Sequence, residues 1–433
     1  MTKNGQYAAA TVAAVGILLA PLRAFAAAAP APSGDIAWVL GASALVLLMT
    51  LPGLALFYGG LVRARHLLSV VMHCFAVCCV VSILWALVGY TLAFAPGGPL
   101  LGDLSRAFLR HLARAVPENG LPEALIALFQ MTFAVITPAL IVGAFPERVD
   151  FRFLLLFAAA WLLIVYVPVA HWVWGHGWLA ALGTIDFAGG IVVHTTAGVS
   201  ALVVALVVGP RRGFPQELAP PHSPGLTMAG AGMLWVGWFG FNGGSALAAD
   251  HTAVMAILAT HFAASAAALT WMAIEWLRFG KPTSVGLVTG CVAGLATITP
   301  ASGFVGPMGA LAIGFLGGAV CLTVTSFIKA RLRIDDTLDV FAVHGIGGML
   351  GSLLVALFAA TAVGGVGYAP GMTIGPQLRA QFIGVVAAAA WSAAATFAIA
   401  KLIGLAVPLR VVPEDELEGL DLAIHGERAY DHG

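Results

Sequence analysis

Charge is what this sequence has least of. Of 433 residues, 20 are Lys or Arg and 20 are Asp or Glu, so the formal charges cancel. A balance near zero gives no basic footprint for a nucleic-acid partner. Cysteine is also sparse, at five. No C-x-x-C or zinc-like spacing links Cys74, Cys78, Cys79, Cys291 and Cys321. All lie inside apolar runs and read as buried packing residues. There is no H-E-x-x-H motif for a metal-dependent hydrolase. What is abundant is apolar: 60% hydrophobic residues and 52 glycines. Soluble cores rarely hold so many apolar runs of about 20 residues, so the composition reads as an all-α polytopic membrane protein.

The N-terminus has the order of a secretory signal peptide. Lys3 precedes an apolar stretch, about Ala8 to Ala20, which is followed by Pro21 and the small-residue run Ala24–Ala27. Residues 1–26 are expected to be removed. The rival, an extra membrane helix, fits less well because the run is short for a span. Eleven apolar runs follow, at roughly 36–60, 67–95, 122–145, 153–170, 187–208, 226–248, 253–277, 284–300, 304–328, 338–362 and 378–408. A membrane domain over 36–408 and a cytoplasmic tail over 409–433 are therefore expected. An odd span count puts the mature N-terminus outside and the tail inside. The basic residues agree. Segments expected in the cytoplasm hold Arg63, Arg65, Arg148, Arg152, Arg211, Arg212, Arg278, Lys281, Lys329, Arg331, Arg333, Lys401, Arg410 and Arg428. Those expected outside hold only Arg106, Arg110, Arg114 and Arg379. The stretch S-R-A-F-L-R-H-L-A-R places three of these at helical spacing, which predicts a short amphipathic helix at the external headgroups.

One polar pattern occurs twice. D-F-A-G-G-I-V-V-H (Asp186–His194) opens the fifth run and D-T-L-D-V-F-A-V-H (Asp336–His344) opens the tenth. Five spans separate them, so the two enter from opposite faces, as in an inverted repeat. Each His would lie about 12 Å along its helix from the Asp, at about 1.5 Å per residue. A hydrocarbon core about 30 Å thick then brings both histidines near mid-membrane. Ionisable groups at that depth are costly, and a pair of them predicts a working site. The resulting architecture is eleven transmembrane helices in a five-plus-five inverted repeat with an extra C-terminal helix.

Four stretches carry a family resemblance: M-T-L-P-G-L-A-L-F-Y-G-G-L-V-R (Met49–Arg63), D-F-A-G-G-I-V-V-H-T-T-A-G (Asp186–Gly198), G-W-F-G-F-N-G-G-S (Gly237–Ser245) and D-D-T-L-D-V-F-A-V-H-G (Asp335–Gly345). In this order they resemble the ammonium transporter family (Amt/Mep/Rh) over nearly the whole chain after the signal segment. The signal segment and the tail E-G-L-D-L-A-I-H-G-E-R-A-Y are similar to the bacterial branch. Pro146, before Glu147 and Arg148, departs from the small residue usual there.

The resemblance implies a role for each matched residue. Trp174 matches the aromatic wall of an external ammonium site and Ser245 its hydroxyl. Phe133 and Phe241 match a stacked gate below it, and Trp238 a pore-lining indole. His194 and His344 match the twin pore histidines, and Asp186 the acid below the vestibule. It also implies a homotrimer, ammonium and methylammonium as cargo, the bacterial inner membrane, and a PII-type regulatory protein at the tail. No cofactor, metal or enzymatic activity is implied.

The chemistry is consistent with those roles. Ammonium offers four N–H donors and no apolar surface. An indole face attracts a cation by about 0.5–2 kcal/mol, and a serine hydroxyl accepts a hydrogen bond. Burying the bare ion costs on the order of several kcal/mol. Passing neutral ammonia avoids most of that cost, and potassium, having no proton to lose, is excluded. Two neutral imidazoles have one donor and one acceptor nitrogen each and can relay a proton. The aspartates read first as helix caps, with Asp186 alone given a second role, raising local cation affinity or feeding the proton relay, and Asp336 none in transport. Glu147, Arg148, Glu275 and Arg278 read as helix-end ion pairs. His73 and His261 read as packing residues, and Gln130 and Asn242 as backbone partners across helices. The tail alone reads as disordered. Three rival functions are an ammonium sensor signalling through the tail, a neutral gas channel, and a membrane enzyme with the histidines as metal ligands.

Overall fold

The computed structural model describes residues 33–110, 112, 120–217 and 219–430. The expected signal peptide lies outside them. Among the described residues there are helices and two isolated bridges but no strand. Nine helices among the described residues are long and apolar enough to cross a membrane: α1 (Ser33–Leu61), α2 (Ala64–Phe94), α3 (Glu123–Ala144), α4 (Phe151–Ala181), α5 (Gly190–Val208), α7 (His251–Phe279), α9 (Pro307–Leu332), α10 (Phe341–Phe358) and α11 (Ile374–Ile403). Between them lie α6 (Pro224–Trp238), which runs on through the turn Phe239–Gly243, and the shorter apolar α8 (Ser284–Ile298). Two short tail helices follow, α12 (Pro413–Glu418) and α13 (Leu420–His425).

Helix starts follow the capping chemistry of the sequence. Asp150, Ser223, Asp250 and Thr283 each accept a backbone N–H of the first turn of α4, α6, α7 and α8. Seven helical stretches widen into π turns. Such turns disturb the regular ladder and collect at functional sites. Three of them carry His194, Phe241 and His344.

Helices α5 and α10 cross at their opening turns. The first turn of each packs on the body of the other. Glycine permits this. A Cβ on Gly198 would collide with the backbone N and Cα of Gly345, and one on Gly348 would lie 2.6 Å from both Gly190 O and His194 Cβ. Small residues allow backbones this close.

The loops that hold Arg63, Arg148, Arg211 and Asp335 converge on a buried ion network. Arg63 Nη2 is 2.6 Å from Glu147 Oε2, Arg211 Nη2 is 3.0 Å from Asp335 Oδ1, and Arg148 Nη1 is 3.8 Å from Asp335 Oδ2. Arg148 also donates to the carbonyls of Gly209, Ala144 and Asp335 and to Thr337 Oγ1. A fully buried guanidinium needs that many acceptors. Burial alone would raise the carboxyl of Glu147, but His66, Arg211 and Arg63 outweigh it and hold it below the ordinary range. Burial likewise opposes Asp335, yet Arg211 and then Arg148 keep it below the ordinary range.

Several expectations differ from the structure. Residues 105–110 form no amphipathic helix; there is one 3-10 turn, Ala107–Leu109, with Phe108 and Leu109 at φ 61° and 54°. Arg106 turns inward, 3.0 Å from the buried Glu123, which needs a counter-charge. Arg114 lies outside the described residues. Cys79 is exposed and Cys78 half-buried, so only Cys74, Cys291 and Cys321 pack internally. Glu275 accepts from Trp271 Nε1 and Thr283 Oγ1 rather than pairing with Arg278. Asn242 donates to Thr260 Oγ1, a side chain, and Gln130 Oε1 has no hydrogen-bond partner. His261 is exposed. The tail is ordered up to residue 430. Asp421 caps α2 by accepting from Leu68 and Ser69 N–H, the Leu420 N–H donates to His66 Nδ1, and Arg410 pairs with Glu416 at 2.7 Å. Composition could not show this, because the caps belong to another helix.

Candidate functional site

A cavity of about 450 Å³ opens at one end of the bundle, lined by Trp174, Ser245, Phe133, Asp186 and others. Trp174 ends a helical turn before the break at 175–177, and its Nε1 donates to the Asp186 carbonyl at 2.8 Å. This bond fixes the indole. Ser245 Oγ donates to the Phe241 carbonyl at 2.9 Å, which leaves its lone pairs as acceptors.

Asp186 stands before α5. Its Oδ1 accepts from the N–H groups of Gly189 and Gly190, and its Oδ2 from Ile191 and Val192. Those are the donors a helix start leaves unpaired. Gly189, at φ 119°, lets the chain turn into the helix under the carboxylate. Asp336 does the same for α10 more sparsely, accepting from Phe341 N–H at 2.7 Å.

Phe133 lines the cavity and Phe241 packs against Phe133. Their ring centroids are 4.3 Å apart, and Trp174 packs edge-on to Phe133 at 5.8 Å. Beyond them His194 stacks on Trp238 at 5.5 Å and on Phe241 at 6.0 Å. His194 Nδ1 and His344 Nδ1 are 3.3 Å apart, and both residues are buried. His344 lines a second cavity of about 190 Å³ on the opposite side. The structure thus brings all eight sequence-selected residues, Trp174, Ser245, Phe133, Phe241, Trp238, His194, His344 and Asp186, into one line of contacts.

Thr299 joins that line and was not singled out in the sequence. Its Oγ1 donates to the Leu295 carbonyl at 2.7 Å, accepts from Trp238 Nε1 at 2.8 Å, and lies 3.4 Å from His194 Nε2. With the Thr299 proton on Leu295, Thr299 accepts from His194, and the matching tautomers place the His194 proton on Nε2 and a His344 proton on Nδ1. Thr299 sits in I-T-P among several buried threonines, so no periodic signal marks it.

The family profile described as the Ammonium Transporter Family matches residues 37–430. The chain is 46% identical to an ammonium transporter of Bacillus subtilis over 92% of this chain and 98% of that protein. It is 45% identical to an ammonium transporter of Aquifex aeolicus, over 96% and 98%. Among solved structures it resembles one titled Sensor Amt Protein, with a TM-score of 0.85 and 32% identity over 90% and 98% of the two chains. It also resembles Mep2 of Saccharomyces cerevisiae, with a TM-score of 0.80 and 37% identity over 88% and 90%. Apolar helices of spanning length, the contact line between two cavities and this likeness along most of the chain agree: the chain is a membrane protein of the ammonium transporter family.

Proposed function

We propose that this protein takes up ammonium through the bacterial inner membrane, with its N-terminus outside and its tail in the cytoplasm. The observation that carries the reading is the line of contacts from the Trp174 cavity, past two packed phenylalanines, to two histidines in Nδ1–Nδ1 contact beside a second cavity. Ammonium is recruited at Trp174 and Ser245, where an indole face and hydroxyl lone pairs suit a small N–H donor. It gives up its proton there to the water of the open cavity, and proton and ammonia cross by separate or partly shared routes, because the bare ion would lose its hydration at Phe133 and Phe241. The rings must move for ammonia to pass. Ammonia then crosses past Trp238 and the histidines, which relay a proton. Asp186 orders the start of α5 and adds negative charge beneath the recruitment site.

The same reading takes α6 and α8 as spans, giving eleven, arranged as a five-plus-five inverted repeat plus α11. The reciprocal crossing of α5 and α10 supports it. Residues 1–26 act as the signal peptide, 36–408 form the membrane domain, and 409–433 form the regulatory tail. The tail offers a docked surface for a PII-type regulatory protein, in a homotrimer. Methylammonium is a second cargo.

Purified protein in liposomes tests this. Ammonium and methylammonium should evoke current, and sodium and potassium should not. Voltage-dependent current separates this reading from a neutral gas channel. A double His194→Leu, His344→Leu variant that kept full ammonium current would overturn the relay.

A further inference from the structure

The second cavity contains an ion pair that the transport line does not use. Lys329 Nζ lies 2.8 Å from each carboxylate oxygen of Asp339 and 3.5 Å from the Thr337 carbonyl. Lys329, Thr337, Asp339 and His344 line the same cavity. The other acidic groups nearby do not line it: Asp335 holds Arg211 and Arg148, and Asp336 caps α10 with one oxygen and keeps the other buried without a partner. Asp339 is thus the carboxylate that faces the space beside His344.

Its backbone is built for that. Asp339 has φ 63°, a left-handed conformation that non-glycine residues adopt rarely and that gathers at functional positions. Its carbonyl accepts from Val343 N–H, so the strained residue starts the turn that ends just before His344. On the other side, Lys329 sits in the π turn Ile328–Leu332, and Arg333, at φ 54°, closes that turn. Both partners are presented by irregular backbone.

The head of a lysine is a primary alkylammonium. It has the charge, the N–H geometry and nearly the size of methylammonium. We propose that Asp339, with the Thr337 carbonyl, forms a second ammonium site at the cytoplasmic mouth, and that Lys329 occupies it as a tethered stand-in. Cytoplasmic ammonium competes with the lysine head for the carboxylate. The site therefore senses product at the exit. The orientation and the direction of flow rest on the transport reading above; the chemistry of the site does not.

The test loads methylammonium inside proteoliposomes and reads inhibition of inward ammonium current. A short tether gives Lys329 a high effective concentration, and a partly exposed ion pair is modest in strength. Lys329→Met should therefore lower the half-inhibitory internal concentration by about fivefold. Adding Asp339→Asn to it should raise that concentration above the wild-type value. A Lys329→Gln variant serves if Lys329→Met fails to fold. In parallel, methylammonium should raise the melting temperature of detergent-solubilised Lys329→Met protein, but not that of the Lys329→Met, Asp339→Asn double variant. Equal inhibition in wild type and Lys329→Met, or equal melting shifts in the single and double variants, would overturn the site. A wild type without ammonium current would instead sink the transport reading, and the melting shifts would still decide the site.

Discussion

His194 Nδ1 lies 3.3 Å from His344 Nδ1, and 150 sequence positions separate the two residues. Two nitrogens of the same kind in contact cannot both donate. The Thr299 hydroxyl, bonded to Leu295 O and receiving Trp238 Nε1–H, breaks the tie and assigns the shared proton to His344. A single threonine therefore orients the histidine pair.

Thr299→Val keeps the volume and removes the oxygen. It leaves Trp238 Nε1 and the His194 Nε2 proton without their acceptor, at a cost of about 1–3 kcal/mol for a buried group. The melting temperature should fall, and the ammonium current should fall with it. Thr299→Ser should restore both. A valine variant with wild-type current and stability would contradict the assigned tautomers.

Asp186→Asn should destabilise the protein by about 2–4 kcal/mol, since an amide offers one oxygen where a carboxylate bonds four N–H groups. Hydrogen exchange of the Gly189–Val192 amides should accelerate in the variant. Unchanged exchange would remove the capping role.

Gly198→Ala should force α5 away from α10, because the new Cβ meets the Gly345 backbone rather than a movable side chain. Overpacking of this kind costs about 1–3 kcal/mol. The separation would also open the His194–His344 contact, so current should drop more than tenfold. Gly225→Ala, where a Cβ meets open space, is the control.

The ion network sets an acid limit. Glu147 and Asp335 are held below the ordinary carboxylate range in the folded protein. Their stabilisation is thus complete above the unfolded value, about pH 4. It is lost as pH falls through the depressed folded values. The melting-temperature difference between wild type and Glu147→Gln should stay level between about pH 7 and 5 and shrink below that. Arg148→Met should cost about 3–5 kcal/mol at neutral pH by stranding Asp335.

All eleven apolar runs read from the sequence coincide with helices, although only nine pass on length and hydropathy, because α8 is short and α6 ends in a glycine-rich turn. The capping aspartates were legible too, since a carboxylate just before an apolar run has few other uses. The short helix expected over 105–114 does not form across its described stretch 105–110. Its spacing of arginines fits a helical stripe, but the buried Glu123 draws Arg106 inward and breaks the pattern. The tail misled in the opposite way. Its own composition looks unstructured, and its partners, the Leu68 and Ser69 amides and His66, lie more than 350 residues away.

The sequence by itself determined that this is a helical membrane protein with one Asp-x7-His unit in its fifth apolar run and another in its tenth. Hydropathy and spacing are local properties that a chain cannot hide. Only the tertiary structure decided which atoms meet: the two Nδ1 atoms, Thr299 beneath Trp238, and the Lys329 head on Asp339. Those contacts depend on how closely glycines let α5 and α10 cross, and on π turns and left-handed residues that re-aim side chains. Neither leaves a periodic trace in the sequence.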